Sequence, residues 1–156
     1  MAISKGKQFE SKFLEDWKLS FPNSFIFRLH DQVSGYKITS QNPCDFICFT
    51  NNKLFLIECK SHQGSSIPFT AMPQYERLLA YKDMKDIFAG FMIWFMDNDI
   101  VLWVDIQTAE KIYNDGNKSI RLKMFQDKMY NIKEVPSNKK RVFMDSDYTF
   151  LIKDEV

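Results

Sequence analysis

Two hydrophobic periodicities take turns along this chain. From Lys5 to Leu19, Phe9, Phe13 and Trp17 recur at four-residue spacing with Leu14 beside them, which predicts a helix with one buried stripe. Phe25-Ile26-Phe27-Arg28-Leu29-His30 predicts a first strand. Asp31 to Pro43 is polar and long, the pattern of a loop or an extended arm. Two apolar, β-rich runs follow, Cys44 to Thr50 and Lys53 to Lys60, with Asn51-Asn52 between them. After a linker at His62 to Ser66, Pro73 opens a second helix, because proline suits a first turn. Phe88 to Met96 and Ile100 to Ile106 are apolar enough to be central strands, turning at Asp97-Asn98-Asp99. A third helix is expected from Gln107 to Asn114, stopping at Gly116. Beyond it, Ile120 to Phe125, Tyr130 to Val135 and Val142 to Met144 read as peripheral strands or short segments. Helices alternating with strands in this order predict an α/β sandwich around a mixed sheet.

Composition narrows the picture. A chain of 156 residues, 45% hydrophobic and carrying fifteen Phe, predicts one domain with a tightly filled interior. It contains no run of eighteen apolar residues, and Met1 to Lys7 lack the apolar stretch of a signal peptide, so a cytoplasmic protein away from any membrane is expected. The net charge of +1 exerts no global pull on nucleic acid, and any such contact must come from local patches. The cysteines Cys44, Cys48 and Cys59 lack a C-x-x-C pair and read as buried apolar thiols rather than as zinc ligands with His62.

The chemistry concentrates in the two β-rich runs. Asn tolerates positive φ, so Asn51-Asn52 predicts a two-residue hairpin turn. Closing it pairs Thr50 with Lys53, and continuing the ladder sets Asp45 opposite Glu58 and Cys44 opposite Cys59. Lys60 lies two residues beyond Glu58 and projects from the same face. Two acids that close repel unless a cation sits between them, and a hard ion such as Mg²⁺ takes carboxylate oxygens while keeping several waters. The tripeptide Glu58-Cys59-Lys60 is weak by itself: seven Glu and seventeen Lys make roughly 0.8 Glu-x-Lys matches expected by chance. A second match, Glu10-Ser11-Lys12, does occur in the first helix. A strand end with a surface ion pair is the plainer reading of the tripeptide; the acid opposite it is what argues for a metal site. Glu10 lies near the apolar seam of its helix, as a rim glutamate or as a carboxylate aimed into a cleft.

In order, Gly6-Lys7-Gln8-Phe9-Glu10, Tyr36-Lys37, Pro43-Cys44-Asp45-Phe46, Glu58-Cys59-Lys60, Ile67-Pro68-Phe69 and Gln74-Tyr75-Glu76-Arg77-Leu78 resemble the PD-(D/E)xK nuclease superfamily, and within it the RecU-type Holliday junction resolvases. The apolar strands from Trp94 to Trp103 fit as well. The resemblance implies a restriction-endonuclease-like mixed β-sheet flanked by helices, in a single nuclease domain spanning residues 1–156. It implies a homodimeric, Mg²⁺- or Mn²⁺-dependent endonuclease that cuts branched DNA, the four-way junction, in pairs. Asp45 and Glu58 would be metal ligands. Lys60 would orient or help activate the attacking water, with Glu10 and Gln74 as further catalytic residues. Lys5, Lys7, Arg28, Tyr36 and Lys37 would contact DNA, with the basic run Lys139-Lys140-Arg141 as a further candidate. Pro43-Cys44 stands where the family usually has hydroxyl residues, and the arm is short, which bears on junction choice more than on nuclease chemistry. Another nuclease of the superfamily, or a non-catalytic DNA-binding module on the same fold, are the alternative readings.

Overall fold

Ser4 starts the first helix, α1 (Lys5–Ser20), its hydroxyl accepting a hydrogen bond from the Lys7 N–H at 3.3 Å. The structure is a computed structural model and describes residues 4–30, 32–34, 37–40 and 42–153, the segments 32–34 and 37–40 in backbone only. The strands that follow are β1 (Phe25–Arg28), β2 (Gln32–Ser34), β3 (Lys37–Ser40), β4 (Phe46–Thr50), β5 (Lys53–His62) and β6 (Ser66–Pro68). Next come α2 (Tyr75–Leu79), β7 (Ile87–Phe95), β8 (Ile100–Asp105) and α3 (Ile106–Asn114). The chain continues through β9 (Ser119–Arg121), α4 (Leu122–Gln126), β10 (Lys133–Glu134), β11 (Ser137–Lys139) and β12 (Met144–Ser146).

Six of these strands form a mixed sheet in the order β1-β4-β5-β7-β8-β10. β5 and β7 run parallel, and the other neighbouring pairs are antiparallel. With helices on both faces, this is the α/β class expected from the sequence. β7 is buried from Ala89 to Phe95, so its continuous apolar run marks the strand covered on both faces. On one face lies α1, where Phe13 and Trp17 are fully buried against Phe46 and Phe55. Each such side chain contributes roughly 1.5–3 kcal/mol by leaving water. The C-terminal segment closes the same layer, with the Tyr148 ring 4.9 Å from Phe13 and the Ser146 N–H donating to the buried Asp16 carboxylate at 3.0 Å. The opposite face carries α2, α3 and α4, whose Leu78, Ile112 and Met124 meet Leu56, Phe91 and Ile93.

The hairpin that carries the candidate chemistry closes as its sequence predicts. Asn51 and Asn52 have φ of 53° and 61°, the left-handed pair that a two-residue turn needs. The β4–β5 register runs from Thr50↔Lys53 to Phe46↔Ile57. One residue further back the expected ladder fails. The Asp45 N–H donates to the Ile57 carbonyl at 3.2 Å instead of pairing across from Glu58, and the Asp45 carbonyl accepts from the Leu29 N–H at 2.7 Å. Asp45 and Phe46 thus both stand against Ile57, the two-against-one arrangement of a β-bulge, which puts the residues before them out of step with β5. Cys44 therefore turns into the α2–α3 core while Cys59 stays in the α1 core, so the two do not face each other. All three cysteines are free, and burial raises each thiol above its ordinary range.

Two further expectations become specific. The polar stretch after β1, expected as a loop or an extended arm, contains a two-stranded antiparallel hairpin, β2–β3. The Ile120 to Phe125 run splits into β9 and α4, because its first residues pair with β6 while Leu122 and Met124 turn into the core. Among the described residues no helix is long and apolar enough to cross a membrane.

Candidate active site

The break at Asp45 builds the site. Freed from the ladder, the Asp45 side chain lies along β5, where its Oδ2 accepts the Cys59 N–H at 2.9 Å. Its carboxylate there interacts directly with those of Glu58 and Glu10. Glu58 is 2% exposed, and its Oε2 has no hydrogen-bond partner. Glu10 reaches the same place from α1, one turn past the helix start, and ion-pairs with Arg28 of β1. Gln74 arrives from the opposite face, immediately before α2, and its buried Oε1 is also without a partner. Together they line a cavity of about 240 Å³ that also receives Lys7.

The Asp45 carboxylate disfavours the charge on Glu58 and on Glu10. Burial first, and then the Asp45 carboxylate, push Glu58 up to about 10, opposed by Lys60. Glu10 is raised by burial and by Asp45, and Arg28 works against both. In the absence of another cation the cluster therefore keeps a proton where Glu58 meets Asp45.

Among the described residues no group of three or more His, Cys, Asp and Glu side chains is set to hold a metal ion. The donor set to weigh is thus Asp45 with Glu58. It fits a hard divalent cation on two grounds. The Glu58 Oε2 is buried with its lone pairs unmet, a costly state unless something supplies positive charge. Ions such as Mg²⁺ commonly use only one or two carboxylates and complete their shell with waters and substrate phosphates.

Of the residues singled out from the sequence, Glu10, Asp45, Glu58, Gln74, Lys7 and Arg28 converge on this cavity. Lys60 is half-buried on β5 and close enough to favour the Glu58 charge, but it does not line the cavity. Lys5 is exposed in the first turn of α1, outside the cavity lining. Tyr36 lies outside the described residues, and Lys37 is described only as backbone in β3. In the basic run, Lys139 pairs with Asp99 at 2.6 Å and Lys140 with Asp145 at 3.7 Å. His30 and Arg77, to which no role was assigned from the sequence, also line the cavity, together with Asn42 from the end of the expected arm. For Arg77 a signal existed, since it follows Gln74 by three residues and so shares a helix face with it.

No family model matches this chain, and no curated protein matches it. Among solved structures it is similar to Archaeoglobus fulgidus Hjc, a Holliday junction resolvase from an archaeal hyperthermophile. The TM-score is 0.53 at 20% sequence identity, over 78% of this chain and 92% of that one. At that identity the likeness establishes the fold, the restriction-endonuclease-like mixed sheet with flanking helices.

Proposed function

We propose that this chain is a single-domain, divalent-metal-dependent endonuclease that resolves four-way DNA junctions by paired phosphodiester hydrolysis. The observation that carries the reading is the buried, unpartnered Glu58 Oε2 beside Asp45, with Lys60 two residues along the same strand. The fold shared with a Holliday junction resolvase supports the substrate, and the sequence resemblance to RecU-type resolvases supports the same class. A cytoplasmic location follows from such a substrate.

Asp45 and Glu58 would hold the Mg²⁺ or Mn²⁺. The ion, when bound, supplies charge neutralisation at the scissile phosphate and a more acidic water. Lys60 brings positive charge to the phosphate and orients the attacking water. Glu10, held by Arg28, sets the acidic wall of the cavity against the Asp45 carboxylate. Gln74 offers an amide to the reacting groups from the opposite side. Lys5, Lys7, Arg28, Tyr36 and Lys37 hold the DNA backbone, which positions the substrate without reading its sequence. Paired incision needs two such sites, so the working enzyme is a homodimer.

Cleavage with Mg²⁺ or Mn²⁺ of four-way, linear and flap DNA tests this. The expected result is cutting of the four-way junction at symmetric positions, with linear duplex spared. Equal cutting of linear duplex would identify another nuclease of the superfamily. Tight DNA binding without cutting by any divalent ion would identify a binding module.

A further inference from the structure

Arg77 has no part in the chemistry described so far, yet its guanidinium stands in the wall of the acidic cavity. A guanidinium carries five N–H donors in a planar fork. Among the described residues the Arg77 fork makes one hydrogen bond, to the Asn42 carbonyl oxygen, and no ion pair. Arg28 differs, because its guanidinium is ion-paired with Glu10 and brings the DNA a charge already partly neutralised. A phosphate entering a cavity that holds Glu10, Asp45 and Glu58 meets strong repulsion, and Arg77 is the half-buried cation there without a carboxylate of its own.

The one bond that Arg77 makes is also placed with purpose. Asn42 ends the segment that contains the β2–β3 hairpin, and His30 begins it. The Asn42 side-chain amide donates to the His30 carbonyl at 2.8 Å, closing the root of that hairpin. Arg77 thus ties the hairpin root to the helix that follows Gln74, across the mouth of the cavity.

Resting on the nuclease reading above, we propose that Arg77 is a DNA-phosphate contact at the cavity mouth. It is held in position by the root of the hairpin, so that seating DNA on the hairpin and seating the phosphate are coupled. The plainer role is a strut that only braces Asn42, and the two roles make different predictions about salt.

The test uses the full chain with Arg77→Gln and Arg77→Lys. Affinity for four-way DNA is measured in EDTA across a salt series, and single-turnover cleavage is measured with Mg²⁺. Each neutralised phosphate steepens the dependence of log affinity on log salt by about 0.9. Arg77→Gln is expected to lower that slope by about one phosphate and to slow cleavage at saturating DNA at least tenfold. Arg77→Lys keeps the charge but not the fork, so it is expected to keep the slope while cutting more slowly. A strut would lose rate in both variants with the slope unchanged in both, and that result overturns the proposal. So does a wild-type slope and rate in Arg77→Gln. Should Arg77→Gln fail to fold, Arg77→Met takes its place as the uncharged variant: a slope lowered by about one phosphate supports the proposal, and an unchanged slope overturns it. A wild-type protein that binds four-way DNA and cuts it, with an unaltered slope in Arg77→Gln, sinks this inference alone. A wild-type protein that neither binds nor cuts sinks the nuclease reading with it.

Discussion

Replacing Glu58 by glutamine should make the metal-free protein more stable at neutral pH, which is unusual for a buried residue in the centre of a sheet. The reason lies in the proton that the cluster retains. Glu58 moves from an ordinary value of 4.5 up to about 10 on folding, first through burial and then through Asp45. The folded protein therefore binds this proton more tightly than the unfolded chain does. Its contribution is complete below the unfolded value and is lost as pH climbs from about 4.5 toward 10, at about 1.4 kcal/mol per pH unit. Between pH 5 and pH 7 the loss is about 3 kcal/mol. Glutamine has the shape of a protonated glutamate and needs no proton. Urea unfolding in EDTA should thus show Glu58→Gln close to wild type at pH 5 and about 2–3 kcal/mol more stable at pH 7. Added Mg²⁺ should close that gap at one hundred times its dissociation constant, where an ion that binds only the folded wild type stabilises it by about 2.7 kcal/mol, and reverse the order at a thousand times, where the gain is about 4.1 kcal/mol. A wild-type stability that stays level between pH 5 and pH 7, or a Glu58→Gln protein less stable than wild type at pH 7 in EDTA, would refute the reasoning.

Asp45→Asn should retain the fold and junction binding but lose metal-dependent cleavage by at least a thousandfold, because asparagine still accepts the Cys59 N–H while removing one charge from the cation site; gel-shift and single-turnover assays on the same preparation check both halves. Phe13→Ala should cost about 3–5 kcal/mol in urea unfolding, since this fully buried ring meets Phe46 and Tyr148 at 4.9 Å each. Asn52→Val should cost about 1–2 kcal/mol at a backbone φ of 61°, whereas Asn52→Gly should match wild type in the same assay; equal stability of the two variants would remove the turn from the account of the register.

Several parts of the structure were legible because they depend on neighbours in sequence. The spacing of Phe9, Phe13 and Trp17 marks the buried stripe of α1, and the run from Ala89 to Phe95 marks a strand covered on both faces. The split of Ile120 to Phe125 into β9 and α4 was not legible. Short apolar segments take whichever geometry their neighbours offer, and here β6 claimed the first part. The expected pairing of Asp45 with Glu58 and of Cys44 with Cys59 carried the ladder two steps beyond Phe46↔Ile57, whereas the Asp45 N–H turns to the Ile57 carbonyl.

The chain by itself determined the β4–β5 hairpin. Asn51 and Asn52 accept positive φ, and that local permission sets the register from Thr50↔Lys53 to Phe46↔Ile57, which leaves Glu58 and Lys60 on one face. Only the tertiary structure decided what meets Glu58 there. Glu10 comes from the helix on one side of the sheet, Gln74 and Arg77 from the segment on the other, and Arg28 from the edge strand. Their meeting depends on helix–sheet packing between residues far apart in sequence, where no local spacing rule reaches. The repulsion between the buried Glu58 and the part-buried Asp45 and Glu10, and with it the demand for a cation, exists only once that packing has displaced water from around them.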